Sequence, residues 1–352
     1  MNRKILQPRV QSILQNGGVL VPSPLALNDK KEVMEKYQRL LTLYYIKSGA
    51  KTIIPGAHTG EFALNNLEVF KNWLIWIREM TLTYGSNMFL MAAIGGADVL
   101  KQAELSVKYG YDIVLVAPTA FANKTHNEII ILLSDIASII PTFAFELQRA
   151  IPGSYSFTQD LWLKIFEITY GSKGASFDTY RSIEMLEAAA KSQRNKDLSL
   201  YTGNDDRIVN DLLGKYSFMV DGKMISLSYK GGLLGHFATD TNAAVTWVNS
   251  ILNKRKTGDW SFELSEHELS HAVNRCNSVL FDAIGGFENS IWGVKYRLTK
   301  LGLLPSPICK NEFGRKGQAE NIDKVYSEYP QLCDYDFVNQ NIEWMKKEVG
   351  LK

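Results

Sequence analysis

The chain has 352 residues, 45% of them hydrophobic and 22% charged, with a formal net charge of +2. Those values fit an ordinary globular protein and exclude a disordered one; no long basic run asks for nucleic acid. The three cysteines, Cys276, Cys309 and Cys333, form no metal spacing and no disulfide framework, no apolar run reaches membrane-spanning length, and the first 16 residues lack the apolar core of a signal peptide; the expected location is therefore the cytoplasm.

Short apolar, β-prone runs alternate with longer helical patterns along the chain. The first run is Gly18-Val19-Leu20-Val21-Pro22. A helical stretch from about Asp29 to Ser48 follows, with Val33, Tyr37, Leu40, Leu41 and Tyr44 on one face. The second run, Lys51 to Pro55, leads into Gly56-Ala57-His58-Thr59-Gly60-Glu61. Its helix, about Leu67 to Met80, is apolar on more than one face, with Trp73 and Trp76 among its residues; such a helix faces either a partner subunit or further helices of its own chain. Strand-like runs recur at Met88–Ile94, Asp112–Ala117, Thr142–Glu146, Gly171–Asp178 and Leu198–Thr202, each followed by a helical pattern. Residues Phe218 to Leu227, with Asp221-Gly222 at the centre, read as an inserted hairpin within about 216–230. An eighth strand is expected over Leu233 to Ala238.

Eight such units predict an α/β fold of (β/α)8 type, a TIM barrel, over residues 18–240. An N-terminal extension covers 1–17, and a helical subdomain covers 241–352 and packs on the barrel. Active sites of such barrels lie where the strands end. Lys173 then stands out, because a lysine among small residues at a strand end is useful chiefly when its amine is desolvated and can attack a carbonyl. His267-Glu268-Leu269-Ser270-His271 matches the HExxH zinc pattern. At helical spacing, however, both histidines lie opposite the stripe Leu269, Val273, Cys276 and Leu280, so no metal is expected there. Asp205-Asp206 reads as a hydrogen-bonding or helix-capping pair.

Several strand ends together resemble the dihydrodipicolinate synthase / N-acetylneuraminate lyase family of class I aldolases. His58-Thr59-Gly60-Glu61 is similar to the family's Gly-Thr-Thr-Gly-Glu loop. Lys173-Gly174-Ala175-Ser176-Phe177-Asp178 is similar to its Lys-Glu-Ala-Ser-Gly-Asp, with the imine-forming lysine at the head. Ala117-Pro118, Gly203-Asn204-Asp205, Gly235 to Asn242 and Val294-Lys295-Tyr296 follow in the family's order. The resemblance implies a lyase of aldolase or dehydratase type, acting without cofactor on a 2-oxo acid such as pyruvate or a keto sugar acid, in a homo-oligomer (dimer or tetramer). It implies Lys173 as nucleophile and Thr59, Gly60, Glu61, Phe145, Arg149 and His236 around the substrate. Phe145 stands where the family has its proton-shuttling tyrosine, so His58 becomes the expected acid–base group. Glu146, next to Phe145, alternates to the other face of the strand. The same departure leaves two alternatives open: a barrel that only binds a ligand, and one that hydrates or hydrolyses a sugar derivative without an imine.

Overall fold

The computed structural model describes residues 3–61, 66–151 and 154–352. The barrel strands are β1 (Gly18–Pro22), β2 (Thr52–Ile54), β3 (Met91–Ile94), β4 (Ile113–Val116), β5 (Thr142–Leu147), β6 (Gly171–Ala175) and β7 (Ser199–Thr202). A hairpin of β8 (Tyr216–Val220) and β9 (Lys223–Leu227) intervenes before the last barrel strand, β10 (Gly231–Leu233). The helices are α1 (Pro8–Asn16), α2 (Glu35–Lys47), α3 (Leu67–Tyr84), α4 (Val99–Lys108), α5 (His126–Ile139), α6 (Gln159–Ile168), α7 (Thr179–Lys191) and α8 (Ile208–Leu213). After the barrel strands come α9 (Thr241–Lys256), α10 (Leu264–Leu280), α11 (Ser290–Lys300), α12 (Gln318–Glu328) and α13 (Tyr335–Glu348).

Eight parallel strands run in the order β2-β1-β10-β7-β6-β5-β4-β3. The ring closes between the ends of that order, where Ala93 N–H donates to Pro55 O at 2.9 Å. The (β/α)8 barrel expected from the sequence is therefore present. β-branched runs such as Ile113-Val114-Leu115-Val116 suit strands buried on both faces. Strand alternation divides the core in two. Leu20, Ile54, Met91, Ile113, Leu115, Phe143, Phe145, Tyr201 and Leu233 fill the interior. Val19, Val21, Ile53, Ala92, Val114, Val116 and Ala144 meet the surrounding helices. Side chains start several helices: Asn66 caps α3, Asp178 caps α7, and Thr125 with Glu128 forms a capping box on α5.

The last barrel strand begins two residues earlier than the apolar run at Leu233 implies, and Gly235–Ala238 is a single 3-10 turn. Glycine is required there. A Cβ on Gly231 would lie 2.1 Å from Gly18 O, and one on Gly232 would lie 2.3 Å from Leu234 Cδ1. The hairpin is as expected. β8 and β9 pair antiparallel, and Asp221 and Gly222 both have positive φ, 48° and 75°, the signature of a type I′ turn.

The N-terminal segment plugs one end of the barrel. Leu6, Val10 and Leu14 join the interior core, Tyr201 Oη donates to Leu14 O at 3.0 Å, and Leu6 N–H donates to Tyr170 Oη at 3.1 Å. In α3 the buried residues include Phe70, Trp73, Leu74 and Ile77, whereas Trp76 is half-buried. Among the described residues no helix is long and apolar enough to cross a membrane.

Candidate active site

The strand ends opposite the plug converge on Lys173. Its backbone register sets it between Phe145 on β5 and Tyr201 on β7, both interior residues, so its side chain enters the barrel. Its ammonium lies 4.1 Å from the centre of the Phe145 ring. Gly203 makes room for it: a Cβ there would lie 2.6 Å from Lys173 Cε. Lys173 is only 6% exposed, and burial lowers its pKa to about 8 against an opposing pull from the Asp205 carboxylate. An amine with that pKa is about one-tenth unprotonated at pH 7, against less than about 0.1% for an exposed lysine.

Asp205 follows β7 and lines the same cavity. Burial raises its pKa to about 7, with Lys173 acting the other way. The two groups titrate together, and burial drives both toward their neutral forms. Asp205 is held by its neighbours. Its Oδ1 accepts from His236 N–H at 3.2 Å, and its backbone oxygen accepts from Asn277 Nδ2 at 2.6 Å. The other end of the Asn277 amide meets His236 Nδ1 at 2.7 Å. With the amide nitrogen committed to Asp205, Asn277 offers oxygen to His236, which fixes the imidazole with its proton on Nδ1.

His58 and Thr59 reach the cavity from a 3-10 turn, His58–Gly60, that follows β2. Burial first, and the Lys173 charge second, lower the His58 pKa to about 4, so the imidazole is neutral at pH 7. Glu61 ends the turn in a left-handed conformation, φ 57°, and its carboxylate leaves the cavity for the C-terminal region. There it pairs with the Lys295 ammonium and accepts from Lys310 N–H, while Lys295 also donates to Ile308 O at 2.7 Å. Both side chains of this ion pair are buried. The Lys295 clamp thus anchors the turn that presents His58 and Thr59.

Of the residues expected at the site, the structure brings Lys173, His58 and Thr59 together around one cavity. Phe145 lies beneath the Lys173 ammonium. Gly60 packs behind the turn, where a Cβ would meet Trp73 at 2.8 Å. The side chains of Glu61, Arg149 and His236, all expected around a substrate, do not line the cavity. Arg149 is exposed and donates to Ser156 Oγ at 2.9 Å. His236 is buried behind the cavity wall between Phe237 and Trp247. Glu146 does alternate outward and pairs with Arg181 of α7. His267 and His271 lie on the exposed face of α10, where His267 stacks on Phe262.

The sequence reading missed the outer wall of the cavity. Phe281, Phe287, Ser290, Ile291 and Val294 come from the end of α10, the loop beyond it and the start of α11. Leu147, Gln148 and Ile151 after β5 and Phe177 after β6 complete it. Phe177 and Phe287 meet edge to face at 5.7 Å, each in the left-handed region, with φ 52° and 69°. Bulky side chains seldom adopt that backbone.

No known family profile matches the sequence, and no curated protein aligns with it. Solved structures do match. Dihydrodipicolinate synthase of Acinetobacter baumannii, complexed with pyruvate, superposes with a TM-score of 0.71 at 17% identity, over 89% of this chain and 98% of that one. YagE of E. coli K12, a prophage protein of the dihydrodipicolinic acid synthase family also solved with pyruvate, gives 0.72 at 13%, over 90% and 99%. N-acetylneuraminate lyase of Mycoplasma synoviae gives 0.67 at 16%, over 90% and 98%. The chain therefore has, over nearly its whole described length, the fold shared by dihydrodipicolinate synthases and N-acetylneuraminate lyases.

Proposed function

We propose that the protein is a lyase that works on a 2-oxo acid through an imine on Lys173. The observation that carries this reading is the buried Lys173 amine, with its pKa lowered to about 8, facing a cavity at the strand ends of a fold whose solved examples include pyruvate complexes. The unprotonated amine adds to the ketone carbon. The carbinolamine then loses water, and the iminium accepts the electron pair released when a bond at the neighbouring carbon breaks. The Thr59 hydroxyl and the backbone of the His58-Thr59 turn hold the substrate carboxylate. Glu61 and Lys295 keep that turn in place.

Two groups supply the proton transfers that Phe145 cannot. His58 is neutral at pH 7 and accepts a proton. Asp205, with its pKa raised to about 7, exchanges one near neutrality. Incubation with pyruvate and borohydride followed by peptide mass spectrometry tests the reading. A reduced adduct on Lys173 is expected, and its absence with pyruvate and with a panel of longer 2-oxo acids refutes it. Phe145 favours a second reading, in which the barrel binds a 2-oxo acid covalently and does not turn it over. Trapping without release of any product supports that alternative.

A further inference from the structure

Lys230 directly precedes β10, at the plug end of the barrel. Its backbone is committed: the N–H donates to Leu200 O at 2.7 Å, and the carbonyl accepts from Gly18 N–H at 3.2 Å. Its ammonium is not. The side chain is half-buried and has no hydrogen-bond or ion-pair partner among the described residues. Burial first, and the neighbouring Arg255 guanidinium second, lower its pKa. Arg255 donates to Leu212 O at 2.7 Å, to Tyr229 O at 2.8 Å and to Ser228 Oγ, and it too pairs with no carboxylate among the described residues. A cation drawn out of water without a counter-charge costs free energy that an arriving anion recovers.

Lys230 lines a cleft of about 310 Å³, within the size of small-ligand sites, about 300–1,000 Å³. Leu198 and Leu200, nearly fully buried at the start of β7, give it an apolar side together with Ile225 and Leu227 of the hairpin. Five consecutive residues, Met224 to Ser228, line it. Successive strand side chains alternate between faces, so β9 turns its edge to the cleft. The neutral polar groups are largely committed: Gln15 Nε2 donates to Leu198 O at 3.2 Å, Asn195 Nδ2 to Ala190 O at 3.1 Å, and Ser226 Oγ bonds Ser217 Oγ at 2.8 Å. Ser228 Oγ accepts from Arg255, which leaves its own proton to donate. Lys196 is exposed on the rim and has no partner among the described residues. No carboxylate lines the cleft; Asp197 lies between two lining residues in the chain and is not one of them. We infer that this cleft binds a small amphipathic anion, its carboxylate or phosphate head on Lys230, Lys196 and Ser228 and its short aliphatic body against Leu200 and Leu227.

Isothermal titration of the full-length protein at neutral pH with acetate, hexanoate, hexyl phosphate and hexylammonium tests this. Saturable binding of hexanoate, hexyl phosphate or both is expected, and the tighter of the two names the head group. Hexanoate should bind at least about tenfold tighter than acetate, since its further methylene groups leave water. Lys230→Gln keeps the stem and removes the charge, so it should weaken binding at least about tenfold, with pyruvate trapping on Lys173 at the native rate as a check on the fold. Lys196→Gln, at an exposed position, should weaken it about threefold without disturbing the fold. Lys173→Met should leave it unchanged, which separates this cleft from the other buried ammonium. Binding that survives both Lys230→Gln and Lys196→Gln, or that Lys173→Met abolishes, overturns the assignment. So does hexylammonium or acetate binding as tightly as hexanoate, or no saturation by either long-chain anion below about 10 mM. None of these outcomes touches the imine reading, which pyruvate trapping decides.

Discussion

Replacing Lys173 and Asp205 together, as Lys173→Met/Asp205→Asn, should stabilise the protein while abolishing imine formation. Burial of Lys173 moves its pKa from about 10.4 in an unfolded chain to about 8, which is about 3 kcal/mol against the charged form. Burial of Asp205 disfavours its carboxylate in the opposite direction of pH. Methionine keeps the hydrocarbon volume and asparagine keeps the acceptor for His236 N–H. Some of the gain is offset, because the ammonium over the Phe145 ring contributes about 1–2 kcal/mol. A net stabilisation of about 1–4 kcal/mol at pH 7.5 is expected, the range found when buried ion pairs give way to neutral groups. The pH dependence has a definite sign. Between about 3.9 and 7 the folded state holds the Asp205 proton that the unfolded chain has lost, so the native protein's stability falls as pH rises. Between about 8 and 10.4 the unfolded chain holds the lysine proton that the folded state has lost, so stability rises with pH. The advantage of the double variant is therefore widest between pH 7 and 8 and narrows on both sides. Urea denaturation of both proteins at pH 5, 7.5 and 10 measures it. A variant less stable than the native protein at pH 7.5, or a difference independent of pH, refutes the assignment of a strained buried pair.

Three further outcomes are expected. Phe145→Tyr restores a hydroxyl beside Lys173 and should accelerate pyruvate adduct formation by about 10²-fold, the lower range for a positioned acid–base group; an unchanged trapping rate would show that the ring has no proton to relay there. Gly203→Ala places a methyl 2.6 Å from Lys173 Cε and should cut the trapping rate about 10²-fold with the far-ultraviolet circular dichroism unchanged; trapping at the native rate means the lysine does not follow this path into the barrel. Glu61→Gln leaves the buried Lys295 ammonium without its counter-charge and should cost about 3–5 kcal/mol in urea unfolding, with weaker pyruvate capture; a loss below about 1 kcal/mol indicates that the pair is solvated.

The barrel was legible in the sequence because its signals are local. Ile113-Val114-Leu115-Val116 and Thr52-Ile53-Ile54 announce strands by their side chains, and Asp221-Gly222 announces a turn by its backbone freedom. Lys173, His58 and Thr59 were found because strand ends define where a barrel's site lies. β10 was misplaced because Gly231 and Gly232 carry no strand signal. Gly231 is a glycine for what lies across from it, Gly18 O, and no local pattern contains that contact. Asp205 read as a capping residue because its pairing with Lys173 depends on which strand neighbours which. His236 and Arg149 were assigned from position after a strand. A turn of 3-10 geometry buries the first behind the wall, and the second is exposed and bonded to Ser156 between cavity-lining neighbours, Gln148 and Ile151. The Phe281 and Phe287 wall lay furthest from view, since it comes from the C-terminal helices folding back over a barrel whose last strand ends at Leu233, well before them in the chain.

The N-terminal plug has a consequence for the order of assembly. Leu6, Val10 and Leu14 are translated well before their partners, Phe89, Tyr170 and Tyr201, which come from strands or strand approaches much later in the chain. The segment has no core of its own to join until β7 is in register. It must therefore wait outside the growing barrel, and contacts across such sequence separation form slowly. A tag or cargo fused ahead of Pro8 would travel with the piece that docks late, at the end of the barrel away from Lys173, where it can hinder closure of the fold without touching the cavity.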